Sequence, residues 1–253
     1  MFVQLYDHNQ KAYLAAIDMM QQTKKAAIIH PTGTGKSFIA FKLCEDNPDK
    51  RICWISPSDY IFKTQKENLK RMTKGYVPQN IIFFTYAKLM NMPEQTISEI
   101  LPDYIVLDEF HRCGARMWGQ GVINLLSQFP DTPVLGMSAT AIRYLDNQRD
   151  MSDELFEGNI ASEMTLGEAV VRGILNPPKY VTTIFSFSND LEKYINRISN
   201  IKNNVVKDRA HDVVERLKRT LGNAVGVDKV IQKHLTDKTG RYIVFCSNKE
   251  HMD

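Results

Sequence analysis

Residues 26–37 read Ala-Ala-Ile-Ile-His-Pro-Thr-Gly-Thr-Gly-Lys-Ser. Four apolar residues form a run suited to a buried parallel strand. Phe38 to Leu43 then continues as an apolar helix. Between them lies a loop whose glycines, Gly33 and Gly35, let backbone N–H groups approach anionic oxygens at a helix N-terminus, where the dipole also favours negative charge. In this pattern Lys36 reaches terminal phosphates and the Ser37 hydroxyl ligates Mg²⁺, while the backbone of Thr32, Gly33, Thr34 and Gly35 forms the cradle. The strict pattern has glycine at the position of His30, which reads here as a strand-end residue with a satisfied ring.

Working outward, further apolar runs occur at 52–55, 81–84, 104–107 and 134–137, alternating with helical stretches. Residues 11–22 read as a helix ahead of the first strand. This is the α/β pattern of a mostly parallel sheet covered by helices on both faces. The run Tyr104-Ile105-Val106-Leu107 ends at Asp108-Glu109. The pair therefore emerges at the carboxyl edge of the sheet, where ligands bind in such folds. Asp108 is placed to hold Mg²⁺, largely through water. Glu109 is placed to orient or deprotonate an attacking water.

Asp108-Glu109-Phe110-His111 resembles the DEAH-type box of superfamily 2 helicases and translocases. Ser138-Ala139-Thr140 resembles that group's Ser-Ala-Thr motif, which links hydrolysis to nucleic acid through Ser138 and Thr140, and His111 resembles the residue that connects the box to it. Ser56-Pro57-Ser58 and Thr85-Tyr86 resemble two loops that touch the sugar–phosphate backbone, which makes Ser56 and Thr85 the nucleic-acid candidates. Gln10, with Tyr6 before it, resembles the adenine-reading glutamine.

The segments Ala139–Arg143, Glu154–Phe156, Leu166–Ala169 and Gly173–Pro178 follow the layout of the type III restriction and DNA-repair helicase subgroup. Ala141 stands where that subgroup usually has proline. Tyr242 to Ser247 resembles the first strand of a second motor domain.

The resemblance implies a RecA-like P-loop NTPase domain over 1–176. A linking strand and helical appendage over 177–239 and the opening of a second RecA-like domain over 240–253 would follow. It also implies ATP and Mg²⁺ as cofactors, nucleic acid (DNA or RNA, with DNA preferred) and a second motor domain of a longer protein as partners, and ATP hydrolysis. Lys36, Asp108, Glu109 and His111 would be the catalytic set, with poor turnover in a chain that stops at Asp253. The alternative is a nucleotide-gated nucleic-acid-binding or scaffold module without turnover. A GTPase would want Asn-Lys-x-Asp, and Asn248-Lys249-Glu250-His251 ends in histidine. No carboxylate cluster suggests a nuclease.

At 43% hydrophobic, the 253 residues can build a sizeable core. No apolar run reaches membrane-spanning length, and the start carries no secretory pattern. Cys44, Cys53, Cys113 and Cys246 are widely spaced, without a CxxC pair, and read as thiols of a cytoplasmic protein. Net charge is +3, and residues 189–239 hold eleven Lys/Arg against seven Asp/Glu. That segment suits either a phosphate backbone or a solvated helical face. Its apolar positions Val206, Ala210, Val213, Val214, Leu217 and Leu221 recur at helical spacing as a packing stripe, and Val227, Val230, Ile231 and Leu235 resume it.

Overall fold

A computed structural model describes residues 2–143, 149–178, 188–201, 204–222 and 232–234. The chain divides into two compact units, Met1–Pro177 and Pro178–Asp253.

The first unit is built on six parallel strands in the order β3-β2-β4-β5-β1-β8. These are β1 (Lys25–Ile29), β2 (Ile52–Ser56), β3 (Ile81–Thr85), β4 (Tyr104–Asp108), β5 (Val134–Ser138) and β8 (Ile160–Glu163). A short antiparallel pair, β6 (Ile142–Arg143) and β7 (Arg149–Asp150), stands apart. The helices are α1 (Asp7–Thr23), α2 (Lys36–Asp46), α3 (Asp59–Met72), α4 (Tyr86–Met90), α5 (Glu94–Ser98), α6 (Arg116–Gln128), α7 (Met151–Phe156) and α8 (Leu166–Val171). A 3₁₀ turn covers Phe110–Gly114.

The five strands expected from apolar runs are present. The sixth, β8, was not expected, because Ile-Ala-Ser-Glu on a half-buried edge carries no apolar run. The first helix starts at Asp7 rather than 11, with an acidic residue in its first turn.

Side chains alternate between the two sheet faces. Ala26, Ile28, Trp54, Val106, Leu135 and Met137 pack under α1, α2 and α3, with Phe41 against Trp54 and Trp54 against Phe62. Ala27, Ile29, Cys53, Ile55, Ile105 and Leu107 face Tyr86, Leu89, Val122, Leu125, Leu155 and Phe156 on the other side. Each fully buried Val, Leu, Ile, Phe or Met among them contributes about 1.5–3 kcal/mol. Gly136 makes room for α7: a Cβ there would lie 2.1 Å from Phe156 Cζ.

In the second unit α9 (Ser188–Ser199) and α10 (Asn204–Gly222) are described. The stripe read on α10 is only partly a packing face. Val214 is buried, whereas Val206, Val213 and Leu217 are exposed. The linking strand, which reads at Tyr180–Phe185, the strand read at Tyr242–Ser247, the stripe positions Val227, Val230, Ile231 and Leu235, and all of 240–253 lie outside the described residues. Among the described residues no helix is long and apolar enough to cross a membrane.

Candidate active site

The sheet brings the two sequence signatures to one edge. β1 and β4 both pair with β5, so the phosphate loop after Ile29 and the carboxylate pair at the end of β4 flank Ser138.

In the loop, Gly33 and Gly35 adopt φ of 90° and 88°, the left-handed region that side chains avoid. A Cβ on Gly35 would also lie 2.9 Å from Asn9 Nδ2. The loop is braced by Thr34, whose hydroxyl donates to Pro31 O (2.8 Å). Thr34 O in turn accepts from Asn9 Nδ2 (2.8 Å) and contacts His8 Nε2 (2.9 Å). Lys36 is buried and donates to His30 O (2.6 Å) and Pro31 O (3.1 Å). Burial lowers its pKa, and Glu109 and Asp108 pull it back up. Ser37 sits half-buried on the first turn of α2, and Thr32 is exposed.

His30 does not need to be glycine, since its backbone is not in the left-handed region. Its ring is only half-satisfied, contrary to the sequence reading. Nε2 lies 2.8 Å from Ser162 Oγ on β8, and Nδ1 is buried without a partner.

Asp108 is 3% exposed. Its Oδ2 accepts from Gln65 Nε2 (3.0 Å) and Ser56 Oγ (3.1 Å). Burial is the largest influence and pushes its carboxyl up to about 6. Glu109 adds to this, and Gln65, Ser56 and Lys36 oppose it. A carboxylate so placed gains from a nearby cation. The Ser37 hydroxyl and this carboxylate are hard oxygen donors of the kind Mg²⁺ takes, the remaining positions being left to water and phosphate. The donor set therefore fits that ion.

Glu109 stands in the left-handed region at φ 53° and ψ 48° and opens the 3₁₀ turn. A non-glycine residue there costs of order 1–3 kcal/mol and concentrates at functional positions. His111 Nδ1 lies 2.7 Å from Ser138 Oγ and 3.4 Å from Glu109 Oε2. Ser138 Oγ donates to Thr140 O (2.6 Å), and Thr140 Oγ1 is paired with the backbone of Ile142. Thr140 and Thr32 share a cavity of about 670 Å³ with Pro31 and Glu163.

A second cavity, of about 770 Å³, lies beside the phosphate loop, lined by Gln4 to Asn9, Gly33 to Gly35, Phe38, Met72, Gly173 and Ile174. Gln10 is not among its lining residues. Asn9 is, because it shares the buried face of α1 with Ala12, Tyr13 and Ala16, and Gln10 is turned one position away. Two residues were thus missed in the sequence, Asn9 and Gln65. Both are polar side chains at apolar-face spacing, Asn9 before Ala12 and Gln65 between Phe62 and Leu69, which is the signal that could have found them.

Ser56, expected on the nucleic-acid side, is fully buried, and its hydroxyl donates to Asp108 Oδ2. Thr85 remains half-buried, with its side chain accepting from Lys88 N as the cap of α4. The tyrosine after it, Tyr86, is buried and donates to Asp108 O (2.9 Å).

The parallel sheet, the phosphate loop and the Asp-Glu pair define a RecA-like motor domain of the superfamily 2 helicase type. Residues 2–143 match the family described as "Type III restriction enzyme, res subunit", and the chain belongs to that family. No curated protein matches it.

Among solved structures, the Hef helicase domain of Pyrococcus furiosus shares the fold, with a TM-score of 0.50 and 15% identity over 75% of this chain and 44% of that one. A DNA-bound ATP-dependent type ISP restriction-modification enzyme, LlaBIII, gives a TM-score of 0.48 and 17% identity, covering 72% of this chain and 16% of that one. A DNA replication initiation factor gives a TM-score of 0.40 and 16% identity over 91% and 60%. The chain thus spans less than two thirds of each of these three structures.

Proposed function

We propose that the first unit is the ATP-binding motor domain of a nucleic-acid-dependent ATPase, a helicase or translocase, acting on DNA. The observation that carries this is the placing of Lys36, Asp108, Glu109 and the His111–Ser138 contact around one sheet edge. Membership in a family named for a restriction enzyme makes DNA the polymer of choice.

In this reading the loop amides and Lys36 hold the phosphates. Ser37 and Asp108 hold Mg²⁺, which supplies charge neutralisation on the phosphates. Glu109 orients the attacking water and takes its proton. His111 and Ser138 relay the state of the nucleotide to Thr140. The adenine side falls to Asn9 rather than Gln10: with its amide nitrogen given to Thr34 O, its buried Oδ1 has no partner and suits the exocyclic amine of adenine. Of the nucleic-acid candidates, Thr85 stays in the proposal and Ser56 leaves it.

The test is Mg²⁺–ATP binding and turnover, with and without DNA. Lys36→Ala should weaken ATP binding roughly tenfold to a hundredfold, the range of a lost charge-assisted bond. Glu109→Gln should bind ATP normally and lose hydrolysis by about 10²–10⁴. Equal ATPase rates for wild type and Glu109→Gln would sink the assignment.

A further inference from the structure

Helix α2 carries the phosphate loop at its N-terminus, and at its other end it carries a charge network in which Lys42 is buried, Glu45 half-buried and Asp46 exposed. Glu45 Oε1 accepts from the backbone N–H groups of Phe2 and Val3, the latter at 3.1 Å. Its Oε2 lies 2.8 Å from Lys42 Nζ, which also lies 2.7 Å from Asp46 Oδ1. Asp46 Oδ2 in turn accepts from the Tyr13 hydroxyl of α1 (2.7 Å). The Lys42 side chain is 4% exposed and that of Glu45 9%.

A segment without helix or strand, such as residues 2–6, has no ladder of its own to hold it. This one is tied. Val3 is buried in the core beside Ala12 and Tyr13, and the Phe2 ring stacks on Tyr76 at 4.5 Å between centroids. Gln4, Leu5 and Tyr6 follow at once and line the cavity beside Gly33–Gly35 before α1 begins at Asp7. The stretch that walls the cavity is thus pinned by Glu45 at one end and by α1 at the other.

An ion pair taken partly out of water seldom adds much stability over an apolar pair of the same volume, and where such pairs are kept, geometry is one thing they specify. Here the geometry is explicit. Only a carboxylate offers one oxygen to two amides and the other to an ammonium. Burial works against the charged form of Glu45, and Lys42 with the two amides overcomes it, holding the pKa below the usual range.

We propose that Glu45, neutralised by Lys42, is a positioning residue for nucleotide selection: it sets the place of the Gln4–Tyr6 wall relative to the phosphate loop on the same helix. This rests on the nucleotide-binding reading above. On that reading the base would lie in the cavity that Gln4 to Tyr6 help to line, and the loop itself would hold the phosphates. Loss of the clamp should therefore weaken recognition of the nucleoside and leave recognition of the phosphates intact.

The experiment is calorimetry of the whole chain with Mg²⁺–ATP, Mg²⁺–GTP and inorganic tripolyphosphate. For Glu45→Ala, ATP affinity should fall about tenfold or more, equal to about 1.4 kcal/mol. The preference for ATP over GTP should shrink with it. Tripolyphosphate affinity should stay within about twofold, and Glu45→Asp should recover part of the loss. If Glu45→Ala fails to fold because Lys42 is orphaned, the double variant Lys42→Met/Glu45→Met removes both charges together and should show the same split. Circular dichroism reports that each variant is folded.

A parallel loss of ATP and tripolyphosphate affinity in a folded variant would overturn the inference, since that would mean α2 as a whole had moved. Unchanged ATP affinity and selectivity would overturn it as well. A wild-type chain that binds neither ATP nor tripolyphosphate would instead refute the nucleotide reading, and the inference with it.

Discussion

His111 Nδ1 lies 2.7 Å from Ser138 Oγ, bridging the turn after β4 to the end of β5. Ser138 has one hydroxyl proton, and it goes to Thr140 O at 2.6 Å. The histidine must therefore be the donor, which places its proton on Nδ1. The same nitrogen is 3.4 Å from Glu109 Oε2. A change in charge or position at Glu109 thus has a direct route, through one imidazole, to the loop that follows β5.

That route predicts a separable defect. His111→Ala or Ser138→Ala should leave ATP binding near wild type and reduce the DNA-dependent stimulation of turnover about tenfold, the value of one hydrogen bond of about 1.4 kcal/mol. The measurement is ATPase rate against DNA concentration. Full stimulation in both variants would remove the relay.

Base selection should follow Asn9. Asn9→Ala removes one of the two partners of the Thr34 carbonyl, leaving His8, and removes the acceptor, so the preference for ATP over GTP should fall about tenfold or more. Gln10→Ala should keep that preference, because Gln10 does not line the cavity. Competition binding with the two nucleotides checks this, and a Gln10→Ala variant that loses the preference would reverse the assignment.

Packing makes its own prediction at Gly136. A Cβ there meets the Phe156 ring at 2.1 Å, so Gly136→Ala should cost about 1–3 kcal/mol. That amounts to a fall in Tm of several degrees, at roughly 2–4 °C per kcal/mol for a chain of this size. In the double variant Gly136→Ala/Phe156→Leu the two costs should not add, because the added methyl takes space the ring vacates. Additive losses in thermal unfolding would count against this contact.

The pH dependence of stability should carry the mark of His30. Burial, with His8, Lys36 and Arg172 nearby, pushes its imidazole from 6.5 down to about 4. Between those values the unfolded chain binds the proton and the folded chain does not. Stability from this group is therefore complete above pH 6.5 and lost as pH falls toward 4, on the order of 3 kcal/mol in all. Urea unfolding of wild type and His30→Asn across that window tests it: the variant should be flatter below pH 6.5, and identical slopes would contradict the assignment.

The apolar runs at 26–29, 52–55, 81–84, 104–107 and 134–137 were readable because parallel strands covered on both faces need side chains apolar on both sides. Each strand is a residue or so longer than its run, as Ser56, Thr85, Asp108 and Ser138 keep strand geometry while carrying the polar chemistry of the edge. β8 escaped for the same reason in reverse, since an edge strand half-open to solvent tolerates Ser162 and Glu163.

What the sequence determined by itself is the local chemistry. Glycines at 33 and 35 permit the left-handed loop ahead of α2 that Lys36 and Ser37 open, and a strand ending at Asp108 presents its carboxylate at the sheet edge. What the tertiary structure decided is where each neighbouring polar side chain is spent. Ser56 follows Ile55, which pairs with Leu107, so the register of β2 on β4 turns its hydroxyl onto Asp108. Asn9 rather than Gln10 reaches the loop because the buried face of α1 fixes the helix rotation. Sequence spacing gives residue types in order along one dimension; strand order and helix rotation decide which of them meet.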